Sequence, residues 1–455
     1  MRPLRIVHLA GTPEGAPWLI AILREQCRRG CDVSAVLSGG FGTIARILTS
    51  EGIPVQFLDL DLPSSTTALH AFSKIRRASR LLRALRADVV HYHLYGSILM
   101  GRLAAWLADA PLRFSMIPGT FYLEAPILGD LEAGTAWADT RVIATCEKTR
   151  ELYIERGTPA SRMEVIYYGL DEDRFDPAAT SGDTVRRELG IGDDVPVVGL
   201  VAHFYPPLRN AFLTPPHLLD RGVKGHDVLF RAIPLVLKEC PAAKFLLVGR
   251  GWGPEGEAYE QRLRATALAL GIDRAVLFTG ERNDVPAMLA MFDVALQVSL
   301  CENLGGSIEA LMMGRPLIAT RVGGLVDSVK HGQTGLLVPP NDPEALADAI
   351  IRLLKDRDLA ERLGSNGRRF MLERFTVRRT VDDLEELYAR CGAARAHGYR
   401  LTRTLVRLPQ LPFRVGGLMA KLEIARARNI TRPWLLTRLR NFPGRILRRL
   451  RAAFA

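Results

Sequence analysis

Six residues separate Glu302 from Glu309 in "ENLGGSIEALMMGRP", among apolar side chains and glycine. A buried carboxylate is costly without a partner, so residues this spaced ask for a ligand. "DVALQVSL" before them predicts a strand, and "SIEALMMG" a helix closed by Gly314 with Pro316 beyond. "CENLGG" is then a strand-to-helix turn, where Gly305 and Gly306 let backbone approach a ligand and the helix start offers free N–H donors. Two acceptor-only carboxylates flanking such donors suit a molecule with hydroxyls at both ends and phosphate between, as in a nucleotide sugar. The plainer alternative is that Glu309 caps the helix and Glu302 is solvated.

The elements that would position this turn alternate. "LRIVHLA", "CDVSAVL", "VQFLDL", "ADVVHYHL" and "RVIATC" are apolar strands between helical stretches such as "PWLIAILREQCRRG". The same alternation restarts at "VPVVGLVAHF" and runs through "KFLLVGRG", "AVLFTG", "DVALQVSL", "PLIATRV" and "GLLVPP". Continuous apolar strands between amphipathic helices predict parallel sheets covered on both faces. The fold class is therefore α/β, with two tandem Rossmann-like doubly wound domains facing a cleft. "EVIYYGLDEDRFDPAATSGD" reads as the linker, giving domains at 1–180 and 181–390 and a tail at 391–455.

The 455 residues carry a formal charge of +12, but it is uneven. From Cys391 onward lie 15 of the 61 basic residues and one of the 49 acidic ones, so the body holds 46 basic against 48 acidic. A near-neutral body argues against nucleic acid as partner. "RPWLLTRLRNF" and "PGRILRRLRAAFA" interleave Trp, Leu and Phe with arginine, as a basic amphipathic helix on an anionic membrane surface would, the alternative being a tail whose apolar face docks on the chain's own first domain. The start reads as a strand and no apolar run spans a bilayer, so the expected location is cytoplasmic, peripheral on the inner face of the membrane. The six cysteines lie in apolar contexts, with Cys27 and Cys31 on one helix face, and read as buried thiols.

The segment from Glu302 to Ile350, with "DVVHYHLYGSILMGRLAA", "CEKTRELYIERGTPASRMEVIYYGLDEDRF", "KGHDVLFRAIPLVLKECPAAKFLLVGRG" and "VLFTGERNDVPAMLAMFDVAL", resembles retaining family-4 glycosyltransferases of the GT-B fold. The resemblance covers roughly residues 4–390. It implies transfer of a hexosyl or other glycosyl group, with retention, from a nucleotide-sugar donor to a lipid-linked or saccharide acceptor in cell-surface polysaccharide or glycolipid synthesis, without a cofactor. A nucleotide-sugar epimerase of the same fold is the alternative.

By the resemblance, Glu302 meets the donor sugar, Glu309 the ribose, and Gly305, Gly306 and Ser307 supply amides. Seven residues usually separate the two glutamates, so this turn is one residue tighter. Lys224 in "VKGHD" matches the phosphate lysine. The usual arginine partner is replaced by His203, and Arg221, or less so Arg209, from the following insertion is the substitute. Gly249, Arg250 and Arg282 lie at strand ends where the family meets the nucleotide, and Gly15 in "LAGTPEGAPWLI" lies in the loop that approaches the phosphates. The family's N-domain histidine has Ile117-Pro118-Gly119 in its place; His91 and His93 read rather as structural. Asp59-Leu60-Asp61 has a metal-binding spacing, but the tandem architecture argues against that use and no metal site is expected.

Overall fold

A computed structural model describes residues 2–61, 68–209 and 214–396. The basic segment from residue 397 onward, which carries the membrane-surface expectation, lies outside the described residues.

Two all-parallel sheets form the body. The first has seven strands: β1 (Arg5–Ala10), β2 (Asp32–Leu37), β3 (Val55–Phe57), β4 (Val89–His93), β5 (Leu112–Ile117), β6 (Arg141–Ala144) and β7 (Met163–Val165). Their order is β3-β2-β1-β4-β5-β6-β7. The second has six: β8 (Val197–Val201), β9 (Lys244–Val248), β10 (Val276–Gly280), β11 (Val294–Gln297), β12 (Leu317–Thr320) and β13 (Leu336–Val338), in the order β10-β9-β8-β11-β12-β13. The chain reverses direction across each sheet between β1 and β4 and between β8 and β11. Crevices for ligands open at those points, outside the strands' carboxyl ends. β8 packs against β9 and β11 in register, with Leu200 opposite Leu247 and Leu296.

Each sheet has a core on both faces, as strands with no polar face require. On one side of the second sheet Phe230, Ile233 and Ile350 pack over Phe245 and Leu296; on the other, Leu311, Met312 and Met371 pack over Leu246 and Ala295. Two local readings change. The linker's first residues are not irregular: Glu164 and Val165 belong to β7, which pairs with β6. Cys31 is not on the first helix, which ends at Arg28, but in the turn before β2.

The last described helix, Val377–Ala396, returns to the first sheet. Val381, Leu384, Leu387, Tyr388 and Cys391 join Ile6, Phe114 and Met116 in one core. Arg29 donates to Asp382 at 2.6 Å and Glu385 at 3.0 Å, and Gln26 donates to the Tyr388 hydroxyl at 3.2 Å. Beneath it His8, His91 and His93 stack as a buried column, 5.1–5.7 Å between ring centres, with His8 bonded to His93 and to Gln26. Burial holds the His8 imidazole down at about 4 despite the Gln26 bond, so the column is neutral packing at physiological pH.

Elsewhere in the first domain Arg102 is wholly buried and donates to Glu132 at 2.7 Å, Asp139 at 2.9 Å and Thr135 at 2.6 Å. That network ties the Tyr95–Leu107 and Pro126–Thr135 helices to β5 through Ser115.

Candidate active site

Glu302 follows β11 by five residues and therefore stands at the crevice of the second sheet. Its carbonyl is held by Gly324 N–H at 3.3 Å, and a Cβ on Gly323 would come within 1.8 Å of it. Only glycine at 323, with φ +46°, allows that approach. Gly225 does the same on the facing side: at φ +70° a Cβ there would lie 2.0 Å from Val298 O. The Lys224 backbone is thereby pressed against the β11 end, and its ammonium pairs with Glu302. Burial opposes the charge on Lys224, yet the Glu302 carboxylate outweighs it and raises the lysine above its ordinary value. The ammonium also lies 5.8 Å from the centre of the Tyr205 ring.

Glu302 is held by more than Lys224. Gln297 Nε2 and Ser299 Oγ donate to its Oε2 at 3.1 and 3.0 Å, and Asn303 N–H donates to Oε1 at 3.2 Å. Glu309 is the opposite case. It lies in the first turn of the Ser307–Met312 helix, and its carboxylate has no hydrogen-bond or ion-pair partner among the described residues. Burial raises its carboxyl above the usual range, with Arg174 opposing. An unpartnered carboxylate beside a crevice has capacity for ligand hydroxyls.

Between the two glutamates, Ser307 N–H already donates to Leu304 C=O and its hydroxyl meets Ser328 at 2.8 Å. Gly305 and Gly306 N–H have no acceptor among the described residues. The helix that follows has only six residues, so its dipole is small, and recognition falls to individual groups. The amide cradle is thus Gly305 and Gly306, with Ser307 committed to the protein.

Other expected residues divide. Gly249, at φ +149°, lets β9 end against Ala202 O, 2.3 Å from where a Cβ would stand. Arg250 pairs with Glu281 at 2.7 Å and lies near Glu14 of the first domain's opening loop, whose carboxyl is lowered mainly by a hydrogen bond from Thr43 and in part by Arg46 and Arg250. Gly15 at φ +73° and Ala16 at φ +49° turn that loop into the first helix. Two residues are not brought to the Lys224–Glu302 pair. Arg221 donates to Asp227 at 2.7 Å and Asn341 at 2.9 Å, on the side of the loop where β13 ends, and shares no partner with Lys224. Arg282 is spent on Glu188 at 2.6 Å and Asp284 at 2.6 Å. Arg221 and Lys224 are three residues apart but part ways at the turn over 222–225, closed by Gly225 N–H donating to Gly222 C=O at 3.1 Å. His203 has its ring 5.2 Å from Trp252 and its Nδ1 3.3 Å from Arg250 O. Asp59 pairs with Lys74 at 2.5 Å.

The facing wall comes from the first domain. Thr120 Oγ1 lies 3.3 Å from Cys301 Sγ, a Cβ on Gly119 would touch Asn303 Cβ at 3.0 Å, and Glu124 lies 3.5 Å from His217. Gln297, Ser299, Tyr205 and Gly323 are site residues that sequence reasoning missed. A glutamine closing the apolar run of β11 was the available signal.

Two doubly wound units in contact beside a crevice that holds two glutamates, a lysine and two backbone amides without acceptors among the described residues have the arrangement of the GT-B fold. Residues 212–356 match the family described as glycosyl transferases group 1, and residues 19–169 match the glycosyl transferase 4-like domain. The chain is 30% identical over 395 residues to the D-inositol 3-phosphate glycosyltransferase of Salinispora arenicola, covering 80% of this chain and 79% of that relative. It is 25% identical to the Escherichia coli UDP-Gal:alpha-D-GlcNAc-diphosphoundecaprenol alpha-1,3-galactosyltransferase over 68% of this chain and 77% of the other. Anabaena HepE in complex with UDP has the same fold, with a TM-score of 0.70 at 22% identity over 85% of this chain and all of HepE. The chain belongs to the group 1 glycosyl transferases and is a glycosyltransferase.

Proposed function

We propose that the protein transfers a sugar, with retention at the anomeric carbon, from a nucleotide-sugar donor to a hydroxyl of a lipid-linked or saccharide acceptor in cell-surface polysaccharide or glycolipid synthesis. The observation that carries this is the grouping at one crevice of the Glu309 carboxylate and the Gly305 and Gly306 amides, none with a partner among the described residues, beside the Lys224 ammonium paired with Glu302. Glu309 accepts from the ribose hydroxyls, the two amides donate to the sugar and diphosphate, and Glu302 accepts from a sugar hydroxyl. Lys224 moves from Glu302 to the diphosphate, whose charge grows as the anomeric C–O bond breaks. Stabilising that charge lowers the barrier more than anything else these residues can do. The departing phosphate oxygen takes the acceptor's proton on the same face, and no covalent nucleophile is needed.

Gly249, Arg250 and Gly15 line the phosphate and base side of the site, and Arg282 stands further out as a support of the β10 loop. The acceptor enters along the first domain, so the division near residue 180 separates acceptor from donor functions, and the one near 390 sets off the basic tail. The names of the relatives favour this assignment: the E. coli relative is named for UDP-Gal and a diphosphoundecaprenol acceptor, and HepE has been solved with UDP-glucose. Neither of these relatives, nor the Salinispora one, is named as an epimerase. Among the described residues no helix is long and apolar enough to cross a membrane, and the basic residues beyond 396 would hold the enzyme against anionic lipid.

Thermal unfolding of the purified protein against a panel of UDP-, GDP- and ADP-sugars tests the donor site, because a ligand of the native state raises its apparent stability. One nucleotide series should raise the melting temperature of the wild type, and that of Glu309→Ala by clearly less at the same concentration. Equal shifts in both proteins would refute the assignment of Glu309.

A further inference from the structure

Gln297 ends β11, and its side chain is only 2% exposed in a strand otherwise built from Val294, Ala295 and Leu296. A buried amide there is costly unless its bonds are made. They are made to the site: Nε2 donates to Ser299 Oγ at 3.1 Å and to Glu302 Oε2 at 3.1 Å. Nε2 would also lie 2.8 Å from a Cβ on Gly305, and Oε1 3.2 Å from one on Gly306. The amide therefore lies under the two glycines of the cradle and against the carboxylate at its mouth. The nitrogen must be the end facing Glu302, since a carboxylate accepts and cannot donate.

Glu302 Oε2 receives three donors at once: Lys224, Gln297 and Ser299. In the proposed transfer, Lys224 has to leave for the diphosphate when donor binds. A carboxylate held by the lysine alone would then swing free, or hold the lysine back. We propose that Gln297, assisted by Ser299, is a positioning residue that keeps the Glu302 carboxylate aimed at the donor sugar while Lys224 transfers to the leaving diphosphate. Gln297 touches no substrate; it acts through Glu302. This inference rests on the assignment of Glu302 to the sugar, and its test separates the two.

The test compares each nucleoside diphosphate with its sugar by titration calorimetry, using UDP with UDP-glucose and GDP with GDP-mannose, and keeps the pair wild type binds. Gln297→Met keeps the side-chain length without donors, and Gln297→Leu is the second choice if that variant does not fold, as judged from its melting curve. Loss of a hydrogen bond to a charged group should weaken nucleotide-sugar binding about tenfold, with the free diphosphate changed less than about twofold. The same variant made in a Glu302→Ala background should have little further effect, because the group it positions is gone. Equal weakening of diphosphate and nucleotide sugar, or a full additional loss in the Glu302→Ala background, would overturn the role of Gln297. If Glu302→Ala itself leaves the contribution of the sugar intact, the assignment of Glu302 fails first.

Discussion

Glu302 and Glu309 are chemically identical and structurally opposite. One is held by four donors, and the other by none of the described residues. Removing Glu309 should therefore cost binding rather than folding. Glu309→Ala is expected to weaken nucleotide binding by about 10–100-fold, the worth of hydrogen bonds to a charged group. Burial raises the Glu309 carboxyl in the folded chain, so its contribution to stability is present below the unfolded value and is lost as pH rises through the folded one. At neutral pH the unliganded variant should melt higher than wild type, and the difference should shrink on acidification. Nucleotide affinity of the wild type should fall with acidity, starting above the ordinary carboxylate range, and calorimetry across pH should show that limb missing in Glu309→Ala. Lys224→Ala should act differently, lowering kcat by about 10²–10³-fold with a smaller change in KM, because the charge it meets is greatest in the transition state. Steady-state kinetics decides: a rise in KM alone would reduce the lysine to an anchor.

The elements hold these groups by a few local devices that can be tested separately. Ala16 takes φ +49° and ψ +51° at the start of the first helix, where a side chain costs roughly 1–2 kcal/mol. Ala16→Gly should relieve that strain and, after the added freedom of the unfolded chain, stabilise by about 0.5–1 kcal/mol in denaturant titration. Arg102→Met should do the reverse: it strands Glu132 and Asp139 without their buried partner, at a cost of about 3–5 kcal/mol. The parallel strands were legible because each is a short apolar run between amphipathic helices. β7 was not, since its three residues open a segment that goes on to turn-forming Gly169, Asp171 and Pro177. The positions of Glu302, Gly305 and Glu309 were likewise legible, because strand, glycine turn and helix are all local patterns. What sequence could not show was which charges were already spent. Arg221 on Asn341, Arg282 on Glu188 and Ser307 on Ser328 are facts of tertiary contact.

At the scale of the molecule the last described helix matters most, because it leaves the second domain and completes the core of the first. Cys391 is buried in that core, so the helix continues to Ala396 rather than giving way near residue 390. Truncation after Ala396 should preserve melting temperature and catalysis on a soluble acceptor, whereas truncation before Val377 should expose Phe114 and Met116 and destabilise the first domain. Co-sedimentation of the first truncation with anionic liposomes should fall below that of the full chain; equal binding would assign membrane contact elsewhere. The central claim concerns the crevice between the two sheets, where a same-face transfer from a nucleotide sugar is expected. Its most direct test is the proton NMR spectrum of the product formed with the stabilising donor: the anomeric coupling should match that of the donor. A product of inverted anomeric configuration, or an epimerised nucleotide sugar with no new glycosidic bond, would contradict the account.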